Sequence, residues 1–212
     1  MTKHFYVCSY GGCGSKMLCN ALKKYGVVEH IHSRCPPTNL TYTGFKHGGT
    51  AYVEWFNEVE VPHDQLNNCY VIYIYRNPVK AIFSLTSRFS MYDHLHHIQM
   101  SQDITLNDVL EQEADLYGLK EFYENYTHPQ NNRNYKIISV KYDDIFDNQH
   151  QLSKLLDIGP LNLTKRESNR KYDEKTNIIL NKIYKDLIET MDKNDPIIIG
   201  GTQVPSSPPP LF

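Results

Sequence analysis

The sequence predicts an α/β domain: a three-layer α/β/α arrangement in which a central parallel sheet is covered by helices on both faces, with a glycine loop after its first strand. Three observations carry that expectation. Strand-like and helix-like runs alternate along the chain, the order expected of a doubly wound sheet. Two runs, YVIYIYR (70–76) and NYKIISVKY (134–142), are apolar on both sides, as strands covered from both sides must be. The loop YGGCGS joins the first strand to the first helix.

Taken in order, HFYVCS (4–9) is a short β-rich run. After the loop, Met17, Leu18, Leu22 and Tyr25 follow helical spacing until Gly26 stops it. VVEHIHS (27–33) reads as a second strand closed by Pro36-Pro37, and residues 38–69 follow no clear period. Residues 70–76 form the strongest strand. A helix then opens with Asn77 as N-cap and Pro78 at its first position, where a missing N–H costs nothing; Val79, Ile82, Phe83 and Thr86 form its expected buried stripe. A longer helix is predicted from Thr105, where TLND fits a capping box with Asp in the fourth place, through Tyr126. The strand at 134–142 precedes a Gln/Leu-rich helix ending at Gly159-Pro160. EKTNIILNKIYKDLIETM supplies a final amphipathic helix, with Ile178, Ile179, Ile183, Leu187 and Met191 on one side. One domain is expected over 1–195, followed by a proline-rich tail, 196–212, in an extended or disordered state.

Composition limits the partners. The 212 residues suit one domain with one sizeable core, 40% of them being hydrophobic. With 22 Lys and Arg against 24 Asp and Glu, there is no global basic field to hold nucleic acid by counterion release. Any anion site must be local. Five cysteines without paired short spacings point to reduced thiols rather than a disulfide framework or a metal site. The start, MTKHFYVCSYGG, has no long apolar stretch, and no segment approaches the ~20 apolar residues of a spanning helix. A soluble cytoplasmic chain without membrane or nucleic-acid partners is expected.

The glycine loop has two readings. A strand followed by Gly-Gly-x-Gly entering a helix can turn backbone N–H groups toward one point and, with the helix dipole, hold an anion. Gly11, Gly12 and Gly14 would let the backbone approach, Ser15 offers a hydroxyl and Lys16 a charge. The same glycines also serve a strand-to-helix turn that needs positive φ. The loop is not a Walker A motif, because Ser15 precedes Lys16 and Met17 stands where the magnesium-binding hydroxyl would be. Nor does it meet the dinucleotide spacing Gly-x-Gly-x-x-Gly.

Together, FYVCSYGGCGSKML and YVIYIYRNPVKAIFSL resemble the sulfotransferases that use 3′-phosphoadenosine 5′-phosphosulfate (PAPS). In that family a strand leads into Tyr-Pro-Lys-Ser-Gly-Thr-Thr, which holds the 5′-phosphosulfate. A second strand ends in Tyr-x-x-Arg-Asn-Pro with a serine eight residues after the arginine, and the pair holds the 3′-phosphate. Arg76 and Ser84 match that spacing, and KYDDIFDN (141–148) resembles a third element, a strand ending in Tyr-Glu-Asp. The resemblance covers about half the chain and implies a P-loop-like sulfotransferase fold. It further implies that Gly11, Gly12, Cys13, Gly14, Ser15, Lys16 and Met17 line the phosphosulfate, and that Arg76 and Ser84 bind the 3′-phosphate. Ser84 would project beside Lys80 and Arg88, off the apolar stripe.

Two departures are plain. Gly12 stands where the family has its catalytic lysine, and the family's late Arg-Lys-Gly loop has no counterpart. The run KRESNRK (165–171) is either a substitute, through Arg166, Arg170 and Lys171, or a solvated charge run. The expected activity is transfer of a sulfuryl group to the hydroxyl of a carbohydrate or small-molecule acceptor, with no metal required. Lys16 is the candidate to neutralise developing charge, and His32 is the candidate general base, with His47 as the second candidate. His94, His96 and His97 are read as a polar loop rather than a metal site. The other readings are a module of the same fold that binds the nucleotide without transferring sulfate, and a P-loop kinase acting on a nucleotide or small molecule.

Overall fold

The computed structural model describes residues 2–36, 66–87, 91, 94–95, 98, 100, 103–128, 135–165 and 173–200. Five strands form one sheet: β1 (Lys3–Cys8), β2 (Gly26–Ile31), β3 (Cys69–Tyr75), β4 (Ile137–Lys141) and β5 (Ile197–Gly200), in the order β2-β1-β3-β4-β5. The first four are parallel neighbours and β5 pairs antiparallel with β4, so the sheet is mixed rather than all-parallel. Seven helices accompany it among the described residues: α1 (Ser15–Leu22), α2 (Pro78–Thr86), α3 (Leu106–Gln112), α4 (Leu119–Thr127), α5 (Gln149–Leu155), α6 (Glu174–Ile183) and α7 (Lys185–Lys193).

Alternation along the central strands sorts the core into two faces. Phe5 and Val7 of β1, Ile72 and Ile74 of β3 and Val140 of β4 pack with Leu18 and Leu22 of α1 and Leu152 of α5. Their neighbours in sequence, Tyr6, Cys8, Val71, Tyr73 and Tyr75, pack on the other face with Val79, Ile82 and Leu85 of α2 and with Phe122, Leu180 and Met191. Burying β3 on both faces is what its continuous apolar run demands. Truncating one of the leucines, isoleucines or Met191 among them to alanine would cost about 2–5 kcal/mol, as large-to-small core changes do.

Several boundaries differ from the sequence expectation, each for a local reason. The helix expected from Thr105 through Tyr126 is two. Thr105 does form a capping box with Asp108, but Glu113 adopts a left-handed conformation and ends α3. Asp115 then accepts the Leu119 and Lys120 N–H groups (3.1 and 2.9 Å) and starts α4. The last amphipathic segment is also divided, at Tyr184, whose hydroxyl donates to Asp115 (2.7 Å). At the other end of the domain, Ile197–Gly200 pairs with β4 and so belongs to the sheet rather than to a tail beginning at 196; residues 201–212 lie outside the described residues.

The strand order places a switch point between β1 and β3, since β1 leads through α1 to β2 on one side while β3 lies on its other side. In open α/β sheets the crevice at the carboxyl ends of such strands is the usual ligand site. The registers Cys8↔Tyr73 and Tyr75↔Lys141 set the loop after β1 beside the last residues of β3, Arg76 and the turn after β4.

Candidate functional site

The glycine loop turns through three left-handed residues, Gly11 (φ 123°), Gly12 (φ 66°) and Gly14 (φ 83°). Close packing fixes it as firmly as backbone freedom permits it. A Cβ on Gly12 would stand 2.7 Å from the Ala81 carbonyl oxygen and 3.0 Å from Ser84 Cβ. One on Gly14 would stand 2.3 Å from the Tyr142 ring. Gly14 also serves as the N-cap of α1 without a side-chain cap, and α1 has no acidic residue in its first turn. The positive end of that helix therefore faces the loop uncompensated.

Arg76 follows β3 directly and is half-buried. Its guanidinium lies over Tyr142, 4.8 Å from the ring centroid, and its Nε is buried with no hydrogen-bond acceptor. No carboxylate among the described residues pairs with it: the nearby Asp143 pairs with Lys80 (3.3 Å) instead. As expected, Asn77 caps α2, its side chain accepting the Lys80 N–H (3.2 Å), with Pro78 at the first position.

Ser84 corrects the sequence expectation. It is 5% exposed and faces inward against Gly12, not outward beside Lys80. The glycine loop covers a side of α2 that a two-faced sheet domain would otherwise leave to solvent. The structure thus brings Gly12, Cys13, Ser84 and Arg76 together, with the Cys13 thiol close enough to feel the Arg76 charge.

Two residues expected to line a ligand do not present their side chains to it. Cys13 is 2% exposed and donates its thiol proton to the Gly11 carbonyl (3.0 Å); burial pushes that thiol up to about 12. Met17, on α1, is partly buried and packs against the core. Lys16 is exposed and has no carboxylate partner among the described residues. His47, Arg88, His96, His97 and Arg166, Arg170 and Lys171 of the basic run lie outside the described residues.

His32 sits just past β2, and its Nδ1 is 2.7 Å from the Ser9 carbonyl oxygen. A carbonyl only accepts, so Nδ1 carries the proton and, in neutral His32, Nε2 carries the lone pair. His94 is buried against Gly11 rather than in a polar loop, at ring-centroid distances of 5.4 Å from Tyr10 and 5.7 Å from His32. Arg34, two residues after His32, is taken by Glu121.

Sequence reasoning missed His30 and Tyr142 as members of the site. His30 Nε2 lies 2.8 Å from Ser15 Oγ, which in turn receives a hydrogen bond from Ser9 Oγ (3.0 Å). Burial, with His32 and Lys16 nearby, holds His30 well below the usual histidine range, at about 4. The period-two pattern of VVEHIHS was the available signal, since it sets His30 and Val28 on the face toward α1. Tyr142 was present only as part of KYDDIFDN.

No group of three or more His, Cys, Asp or Glu side chains among the described residues is placed to hold a metal ion. No described helix is long and apolar enough to cross a membrane. Set against protein-family models, curated proteins and solved structures, the chain matches none of them.

Proposed function

We propose that the crevice between the glycine loop and Arg76 binds PAPS and that the protein is a sulfotransferase acting on an acceptor hydroxyl. The observation that carries this reading is Arg76: a guanidinium at the carboxyl end of a central strand, aligned by Tyr142, with a buried Nε lacking an acceptor and no carboxylate among the described residues to neutralise it. A buried charged donor without an acceptor is costly, and an anion at that point relieves the cost. Ser84, eight residues on, packs against the glycine loop, and the resemblance implies that it joins Arg76 at the 3′-phosphate.

PAPS would supply the sulfuryl group. The chain's own part is positioning and fixed positive charge. Arg76 and Ser84 hold the 3′-phosphate. Backbone N–H groups of the loop, the N-terminus of α1 and Lys16 face the 5′ side, and His32, oriented by Ser9, takes the acceptor proton at Nε2. One observation favours the second reading, a nucleotide-binding module without transfer: the packing of Gly12 on Ala81 leaves no room there for the lysine that the resemblance would require.

Titration calorimetry with PAP, the desulfonated product, tests the site, and turnover of labelled PAPS over a panel of hydroxyl acceptors tests transfer. Absence of PAP binding sinks the cofactor assignment, and magnesium-dependent ATP binding in its place would favour a kinase. Binding without transfer to any acceptor establishes the module. Under the lead reading, His32→Ala lowers turnover and leaves PAP affinity nearly unchanged.

A further inference from the structure

Ser9 Oγ, Ser15 Oγ and His30 Nε2 form an unbroken chain with steps of 3.0 and 2.8 Å, tying the end of β1, the first residue of α1 and strand β2 together. Ser9 is fully buried and Ser15 nearly so, whereas His30 is half-buried and within reach of water.

A serine hydroxyl has one proton to give, and in a neutral imidazole one nitrogen donates while the other accepts. His30 therefore decides where the Ser15 proton goes. With Ser9 donating to Ser15, the Ser15 proton points at His30, Nε2 accepts it, and the His30 proton resides on Nδ1. In that state Ser15 turns only lone pairs toward the glycine loop, which is unfavourable for an anion. If the His30 proton moves to Nε2, His30 donates to Ser15 and the serine proton is released for another acceptor. No net charge changes: water takes the proton from Nδ1 of the half-buried ring and returns one at Nε2, so the Ser15 proton is not consumed. In the free protein His30 is neutral at pH 7, desolvation together with His32 past the end of β2 and Lys16 on α1 holding it low.

We propose that His30 is a positioning residue for a phosphate-bearing ligand in the glycine loop, switching its proton from Nδ1 to Nε2 on binding so that the Ser15 hydroxyl donates to the anion. The inference rests on the reading that this loop holds the 5′ end of the nucleotide. The loop's own N–H groups and Lys16 attract any anion; the Ser9–Ser15–His30 chain makes the response of Ser15 depend on one being there.

Long-range proton–nitrogen spectra of the nitrogen-15-labelled protein at pH 7 report which nitrogen of His30 is protonated, with PAP and, separately, pyrophosphate as probes. The expected result is an Nδ1–H ring in the free protein and an Nε2–H ring at saturation with either probe. His30→Gln, which keeps a donor and an acceptor, should hold PAP affinity within about threefold, and His30→Leu should lower it about tenfold, one hydrogen bond to a charged group. Binding of PAP with unmoved His30 resonances overturns the positioning role and leaves the nucleotide site standing. Wild-type affinity in a folded His30→Leu protein overturns it equally. No binding of PAP or pyrophosphate to the wild-type chain removes the site and this proposal together.

Discussion

The guanidinium of Arg76 rests on the ring of Tyr142, 4.8 Å from its centroid, and the edge of that same ring presses against Gly14 of the glycine loop. One aromatic side chain from the turn after β4 thus fixes the distance between the two halves of the crevice, the charge after β3 and the loop after β1. Cation–π contact orients the arginine without neutralising it, as a carboxylate would.

Arg76→Ala is expected to weaken PAP binding by about 1.5–3 kcal/mol, the range for hydrogen bonds to charged groups, with an unchanged circular dichroism spectrum. Tyr142→Leu should cost less, about 0.5–1 kcal/mol, because only the orientation of Arg76 is lost. Titration calorimetry of the two variants decides the order. Equal affinity of Arg76→Ala and wild type would remove the 3′-phosphate role.

Introducing the lysine that the resemblance lacks should not create activity. Gly12 has φ 66° and a Cβ there meets backbone, the Ala81 carbonyl, at 2.7 Å. Left-handed backbone alone costs a non-glycine residue about 1–2 kcal/mol. Gly12→Lys is therefore expected to lower the Tm and, by distorting the loop, to lower PAPS turnover rather than raise it. A variant as stable as wild type with raised turnover would contradict the packing described here.

Thiol labelling should distinguish one cysteine from four. Burial raises Cys8, Cys13 and Cys19 to about 12 and also raises Cys69, whereas Cys35 is exposed. Since the thiolate is the reacting form, brief iodoacetamide treatment at pH 7.5 should add a single label, at Cys35, seen by mass spectrometry of the digest. Rapid labelling of Cys13 would mean that the loop opens.

Two neighbouring residues of β2 should oppose one another in acid. His30 falls from 6.5 to about 4 in the folded chain, so its contribution to stability is complete above pH 6.5 and is lost as pH falls toward 4. Glu29 rises from 4.5 to about 7 through burial, so its contribution is complete below pH 4.5 and is lost as pH rises toward 7. Between about pH 4.5 and 6.5 their contributions nearly cancel. Glu29→Gln should leave the effect of His30 unopposed, giving a steeper loss of stability from pH 6.5 down to 4 than wild type in urea melts. Identical pH profiles for the two proteins would refute the assignment.

Much of the frame could be read directly from side-chain pattern. The two-sided run at 70–76 could be buried only as a central strand, and Asn77-Pro78 could open only a helix, because each statement depends on residues within a few positions. The capping box at Thr105 was equally local. What failed was continuity: Glu113 and Tyr184 interrupt helices whose apolar spacing runs through both breaks, since periodicity records which side is buried and not whether the axis continues. The fifth strand was hidden for a similar reason, four residues next to a proline-rich segment and paired with a partner about sixty residues earlier.

By itself the sequence determined the alternation of strands and helices, the glycine loop at the end of the first strand and the arginine at the end of the third. These follow from hydrophobic period and backbone preference, which act over a turn or a few residues. Tertiary structure alone decided that Ser84 faces inward, that Cys13 is buried and Met17 packs against the core, and that His30 reaches Ser15. Each of those outcomes depends on which surface packs across from the residue, and that is set by strand order and register, quantities that no local stretch of the chain contains.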